Sequence, residues 1–152
     1  MVSRTRVANE AWEALFRAQA TVARELTAAD VWAELSPREY GVLYALSTAP
    51  QGMRVTELLA DVLLTQAGMS RLIARLEAAG LVERVDDLDD ARASRIRLTE
   101  AGVRAQRHVG LRHGHHVAQT MTRRLSDEQL IQLRELCRSL TAPEPSKTAR
   151  SA

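Results

Sequence analysis

The sequence predicts a mainly α-helical protein with one small two-stranded hairpin, and three observations predict it. The first is the run from Leu64 to Leu76, LTQAGMSRLIARL, in which Met69, Leu72, Ile73 and Leu76 recur at three- and four-residue intervals. That spacing gives one apolar, buried face of a helix. The second is a pair of short stretches just after it, LVERV and ASRIRLT, in the second of which Ile96 and Leu98 alternate with Arg95 and Arg97. Alternation puts the aliphatic groups inward and the guanidiniums outward on a strand. The third is a shorter helical stretch, Thr56 to Val62, ahead of the run. Helix, turn, helix and hairpin in that order make a winged helix-turn-helix, flanked here by helices suited to dimerisation.

The elements follow in order. Residues 1–35 are an N-terminal helical arm, in which Ala8, Ala11, Trp12, Leu15, Phe16, Val22 and Leu26 mark one face of a helix from about Arg6 to Ala29. A lone winged lobe needs no such arm. Its stripe therefore packs on this chain's C-terminal helices or on those of a second copy. Residues 36–99 are the winged lobe, opened by Ser36-Pro37-Arg38-Glu39, an N-cap serine, a proline at the first helical position and a glutamate that completes a capping box. This helix continues through Tyr40, Leu43, Tyr44 and Leu46 and stops before Pro50-Gln51-Gly52. Thr65 is placed to cap the central helix, and Asp86 to Arg92 join the two strands.

Residues 100–140 are a C-terminal helical hairpin. Thr99 caps its first arm, and Ser126-Asp127-Glu128-Gln129 is a second capping box before Leu130, Leu133, Leu136, Cys137 and Leu140. Gly110 and Gly114 interrupt the first arm, either for close helix contact or at a bend. Residues 141–152, TAPEPSKTARSA, carry two prolines and no large apolar side chain, the composition of a disordered tail.

Composition narrows the class. At 152 residues the default is one chain with one core. No window approaches the apolar length of a membrane span and MVSRTRVANE is no secretory signal, so a cytoplasmic protein is expected. Cys137 is the only cysteine, which excludes an intramolecular disulfide and a four-cysteine zinc site. The net charge is +2, but residues 53–99 hold seven basic and eight acidic side chains. Function must therefore be argued from the placement of charge, not its sum. The outer face of the central helix carries Gln66, Ala67, Ser70, Arg71, Ala74 and Arg75 and no acid.

The wing contains Asp90-Ala91-Arg92, followed by a strand and Leu98-Thr99-Glu100-Ala101-Gly102, and SRLIARLEAAGLVERV precedes it. These motifs, spread over residues 53 to 102, resemble those of the MarR family of bacterial transcriptional regulators. The sequence departs from the family's pattern in having Asp87-Leu88 where a proline is usual, and Leu63-Leu64 where a Gly-containing turn is common. The resemblance implies a homodimeric, sequence-specific regulator of double-stranded DNA, a repressor whose affinity for its operator a small aromatic or lipophilic ligand lowers. Arg71 is the candidate to read guanine, Gln66 adenine and Ala67 a thymine methyl, with Thr65 and Ser70 on phosphate or a base edge. Arg75 either joins them or pairs with Glu77, Glu83 or an aspartate of the wing. Arg92 would enter the minor groove, Arg95 is counted with the DNA contacts, and Asp90 or Asp87 ties the loop.

Two other groups stand out. His108, His113, His115 and His116 fall within nine residues, but their spacings offer no ready ligand set, and no metal or other cofactor is expected. All five aromatic residues, Trp12, Phe16, Trp32, Tyr40 and Tyr44, lie before residue 45. They are either plain core or the walls of the ligand site that the resemblance implies. No catalytic constellation assembles, so no enzyme is expected. The alternative from another class is a winged-helix protein-interaction module without DNA binding.

Overall fold

The computed structural model describes residues 3–61, 65–87, 90 and 93–143. The chain runs α1 (Arg4–Ala28), α2 (Pro37–Ser47), α3 (Val55–Asp61), α4 (Gln66–Ala78), β1 (Val82–Asp86), β2 (Ser94–Leu98), α5 (Glu100–Thr122) and α6 (Asp127–Thr141). It divides into two compact units, residues 1–116 and 117–152. The turn expected at Leu63-Leu64 lies outside the described residues, as do positions 144–152 of the expected tail.

Four helices start where a hydroxyl meets an otherwise unpaired amide of the first turn. Ser36 Oγ accepts from the Glu39 amide at 3.2 Å while Glu39 Oε2 accepts from the Ser36 amide at 2.7 Å. Thr65 does the same for Gly68 at 3.1 Å. Thr99 accepts from the Gly102 amide at 3.0 Å and donates to the Gly80 carbonyl at 2.6 Å. Ser126 and Gln129 form the second capping box.

The core of the first unit is the apolar face of α4 closed against its neighbours. Met69, Leu72, Ile73 and Leu76 are all buried, together with Val42, Leu43 and Leu46 of α2, Leu58 of α3, Val82 of β1 and Ile96 of β2. Each such side chain contributes about 1.5 to 3 kcal/mol through the water it escapes. The flanking helices differ. Helices α1 and α6 bury none of their residues, and Val7, Trp12 and Phe16 on α1 and Ile131, Leu136 and Leu140 on α6 are exposed.

In the hairpin Val82 pairs with Leu98, Arg84 with Ile96 and Asp86 with Ser94, antiparallel. A third segment joins it, unexpected from the sequence. The Met53 amide donates to the Ile96 carbonyl at 2.9 Å and the Ile96 amide to the Met53 carbonyl at 2.8 Å. Gly52 makes this approach possible, because its φ is +83° and a Cβ there would sit 2.7 Å from the Ile96 carbonyl oxygen. Only glycine combines that conformation with that space.

Gly102 has a different role. A Cβ there would collide with the Leu81 carbonyl, so the missing side chain lets the first turn of α5 lie against the start of the wing. Thr99 caps that turn and Leu98 packs against the core, which gives the Leu-Thr-x-x-Gly motif a mechanical meaning. An ordinary Gly-to-Ala change inside a helix gains about 1 kcal/mol. Gly102→Ala is expected to lose about 1 to 3 kcal/mol through overpacking, a reversal of sign that thermal unfolding of the two proteins measures.

Candidate nucleic-acid interface

Because Met69, Leu72, Ile73 and Leu76 fix the rotation of α4, its other face has no choice but to look outward. Gln66, Ala67, Ser70, Arg71, Ala74 and Arg75 are all exposed, and so is the capping Thr65. Arg71 donates from Nε to the Ala67 carbonyl at 3.3 Å and pairs with no carboxylate among the described residues. Arg75 approaches Glu39 of α2 at 3.7 Å. That corrects the expectation of Glu77, Glu83 or a wing aspartate, since Glu77 pairs with Arg84 and Glu83 with its cross-strand partner Arg97.

The wing is held by Asp87. Its buried carboxylate accepts from Arg54 Nε at 2.6 Å and from Arg95 Nε at 3.0 Å. Arg95 also donates to the Gly52 carbonyl at 3.0 Å and lies 3.8 Å from Glu57. The hydrogen bond to Asp87, and then its charge, push the Arg54 guanidinium pKa above its ordinary value, so Arg54 stays charged. Arg95, expected among the DNA contacts, is instead turned back into this node, because a buried carboxylate without cations would be far more costly than a lost surface charge. Asp87 supplies a side-chain tie to both arginines, and the Asp90 carbonyl accepts from the Ala93 amide at 2.9 Å. Arg92 lies outside the described residues. Arg54 stands thirty-three residues from its partner, beyond the reach of any local pattern in the sequence.

No curated protein sequence matches this chain. The model of the MarR family matches residues 33–93, from the approach to α2 through the wing loop. Over those residues the chain is similar to the MarR family. Among solved structures it is similar to Sco3205, a MarR family transcriptional regulator from Streptomyces coelicolor in complex with DNA, at 28% identity, 96% of this chain, 93% of that one and a TM-score of 0.74. It is similar to the PcaV regulator of the same organism in complex with its natural ligand, at 24% identity, 92% and 95% coverage and a TM-score of 0.62. A mutant MarR from E. coli complexed with operator DNA shares the fold at 18% identity, 93% and 100% coverage and a TM-score of 0.74.

The five aromatic residues do not form one cluster, contrary to the single set of walls expected. Trp12 and Phe16 pair with each other at 6.3 Å on α1 and are 63% and 60% exposed. Trp32, Tyr40 and Tyr44 form a second group, and His113 of α5 joins it, 4.8 Å from the Trp32 ring and 5.2 Å from that of Tyr40. Gly110 makes the room, since a Cβ there would meet Tyr40 Oη at 3.3 Å. Gly110 thus serves close contact. Burial raises the Tyr40 phenol pKa. Burial, then the charge of His116, lowers that of the His113 imidazole, and His113 Nδ1 and His116 Nε2 are buried without hydrogen-bond partners. A separate cleft of about 440 Å³, bordered by Leu46, Pro50, Leu98 and Arg107, contains none of these rings. Among the described residues no group of three or more His, Cys, Asp or Glu side chains could hold a metal.

Replacing Asp87 with asparagine leaves two guanidiniums facing a neutral amide. The expected loss is about 1 to 3 kcal/mol in urea denaturation, with faster amide exchange at Met53 and Ile96 as the wing loosens. His113 gives a pH dependence of defined sign. Its folded pKa lies below the ordinary 6.5, so the unfolded chain takes up a proton that the folded chain resists. Its contribution is complete above about pH 6.5 and is lost as pH falls through the folded value. Denaturation midpoints measured from pH 8 to about pH 5 should fall less steeply for His113→Phe than for the parent.

Proposed function

We propose that this chain is a sequence-specific DNA-binding transcriptional regulator that grips a pseudo-palindromic operator as a homodimer, represses from it, and is released by a small aromatic or lipophilic ligand. One observation carries the reading. Among the described residues Arg54, Arg84, Arg95 and Arg97 are paired with acids of the same lobe, whereas Arg71 stands on the exposed face of α4 with no carboxylate partner. An unpaired guanidinium beside Gln66, Ala67 and Ser70, on a helix whose rotation is locked by its buried face, suits bidentate readout of guanine in the major groove. Thr65, Ser70 and Arg75 take phosphate or base edges, and Arg92 takes the neighbouring minor groove.

The other parts follow from what the lobe leaves uncovered. The apolar side chains exposed on α1 and α6 are suited to a second copy of the chain, with residues 1–35 and 100–140 as the dimerisation elements around the lobe of 36–99. Trp32, Tyr40, Tyr44 and His113 supply aromatic walls and an unpartnered ring nitrogen for a ligand, with Trp12 and Phe16 further along α1. That PcaV holds its natural ligand and Sco3205 holds DNA supports both functions in one scaffold. Such a regulator works on chromosomal DNA in the cytoplasm.

Selection from a random DNA pool identifies the operator, and Arg71→Ala tests the assignment. The substitution is expected to cost about 1 to 3 kcal/mol and to relax preference at one base pair per half-site. Competition binding on operator variants is the measurement, and an Arg71→Ala protein as tight and as selective as its parent would remove α4 as the reading helix.

A further inference from the structure

The cleft of about 440 Å³ beside the end of α2 is used neither by the exposed face of α4 nor by the aromatic rings. Three segments wall it: the end of α2 with the turn through Pro50, the end of β2, and the first turns of α5. Its floor is fixed. Leu46 is buried in the core and Leu98 packs against that core, so this apolar surface stays in place whether or not a molecule covers it. Val103 and Pro50 complete an aliphatic lining with no aromatic ring in it.

The charge on the cleft is one-sided. Arg97 and Arg107 border it, and no acidic side chain does. Its other polar groups are already committed. Arg97 pairs with Glu83 at 2.6 Å, the Ser47 hydroxyl donates to the Tyr44 carbonyl at 2.6 Å, and Gln106 hydrogen-bonds the Tyr40 side chain. Arg107 pairs with no carboxylate among the described residues.

An exposed arginine on a flat surface is simply hydrated. At the rim of an apolar cleft its field is focused by the low-dielectric walls, and an anion entering there meets a charge that nothing else neutralises. The lining selects the rest of the molecule. The cleft is within the size range of small-molecule sites, about 300 to 1,000 Å³, so a bare anion would leave the aliphatic floor wet. An arene would find no ring to stack against. An alkyl chain gains affinity with each methylene that leaves water.

We infer that this cleft binds a monocarboxylate with a medium-length alkyl chain, its carboxylate on the Arg107 guanidinium and its chain along Leu46, Leu98 and Val103. The planar fork of arginine matches the two oxygens of a carboxylate. The site is separate from the rings that suit an aromatic ligand, and it stands whether or not the chain reads DNA. A molecule in it touches the wing strand and α5 at once.

The test is isothermal titration calorimetry of the full chain with sodium octanoate. Saturable binding of one molecule per chain is expected. Acetate, which is the head alone, and octanol, which is the tail alone, should each bind at least about tenfold more weakly. Arg107→Ala should weaken octanoate by about tenfold and leave octanol unchanged, whereas Arg107→Lys, which keeps the charge, should recover most of the loss. Val103→Trp fills the cleft with both arginines in place and should abolish the binding.

No saturable octanoate binding to the parent protein would overturn the inference. Octanoate held as tightly by Arg107→Ala as by the parent would place the carboxylate elsewhere, and octanol as tight as octanoate would remove the carboxylate from recognition. Binding that survives Val103→Trp would put the chain outside the cleft. Each of these results ends the proposal and leaves the regulator reading standing.

Discussion

The carboxylate of Asp87, with no exposed side-chain surface, lies between the guanidiniums of Arg54 and Arg95, and the position of the wing depends on it. Two strands of five residues are at best marginally stable alone. This hairpin is held at three places: Ile96 in the core, the paired hydrogen bonds to Met53, and Asp87. The first two are apolar and backbone contacts that leave the loop end free. Asp87 sits at the end of β1, where the loop begins, and Arg54 immediately precedes α3. The node therefore joins the wing to the start of the helix-turn-helix. Burying a carboxylate is expensive, and two cations largely repay it. What the pair of bonds adds is geometry, because each fork accepts only a narrow range of positions.

The same accounting sorts the charges of the lobe. Acids lie where an arginine must be fixed, as Glu83 on Arg97 across the hairpin and Glu77 on Arg84. Exposed pairs of this kind contribute little to stability, about 0 to 1 kcal/mol. Their larger effect is to cancel the positive potential of the arginines they hold, while Arg71 on α4 keeps its own. A lobe with no net basic excess thus presents a local one, which is why its total charge misrepresents it.

Local signals were legible in the sequence and distant ones were not. The caps at Ser36, Thr65, Thr99 and Ser126 were readable because a cap involves residues three apart. The rotation of α4 was readable because one buried face determines the other. Arg95 was misassigned because alternation along β2 says only that it leaves the apolar face, and nothing in the strand reveals Asp87 and the Gly52 carbonyl waiting on the other side. The Met53 bridge escaped for a related reason, since one bridging residue has no periodicity. Aromatic residues close in sequence separated in space because α1 carries two of them away from α2. His113 came to the rest from seventy residues downstream, admitted by Gly110.

Helix α2 connects the two sites through consecutive residues. Glu39 faces Arg75 of α4, and Tyr40, the next residue, stacks with Trp32 and His113. Leu43 and Leu46 of the same helix are wholly or almost wholly buried in the core that positions α4. A packed core does not deform continuously, so α2 moves as a body or hardly at all. A ligand bound among the rings, as proposed above, would act on DNA binding only through a preference for one position of α2, and typical coupling is about 1 to 3 kcal/mol. A coupling of that size repositions Arg75 without melting anything. It also runs both ways. Whatever DNA gains by fixing the α2 and α4 pair, the ligand loses when it requires the other arrangement.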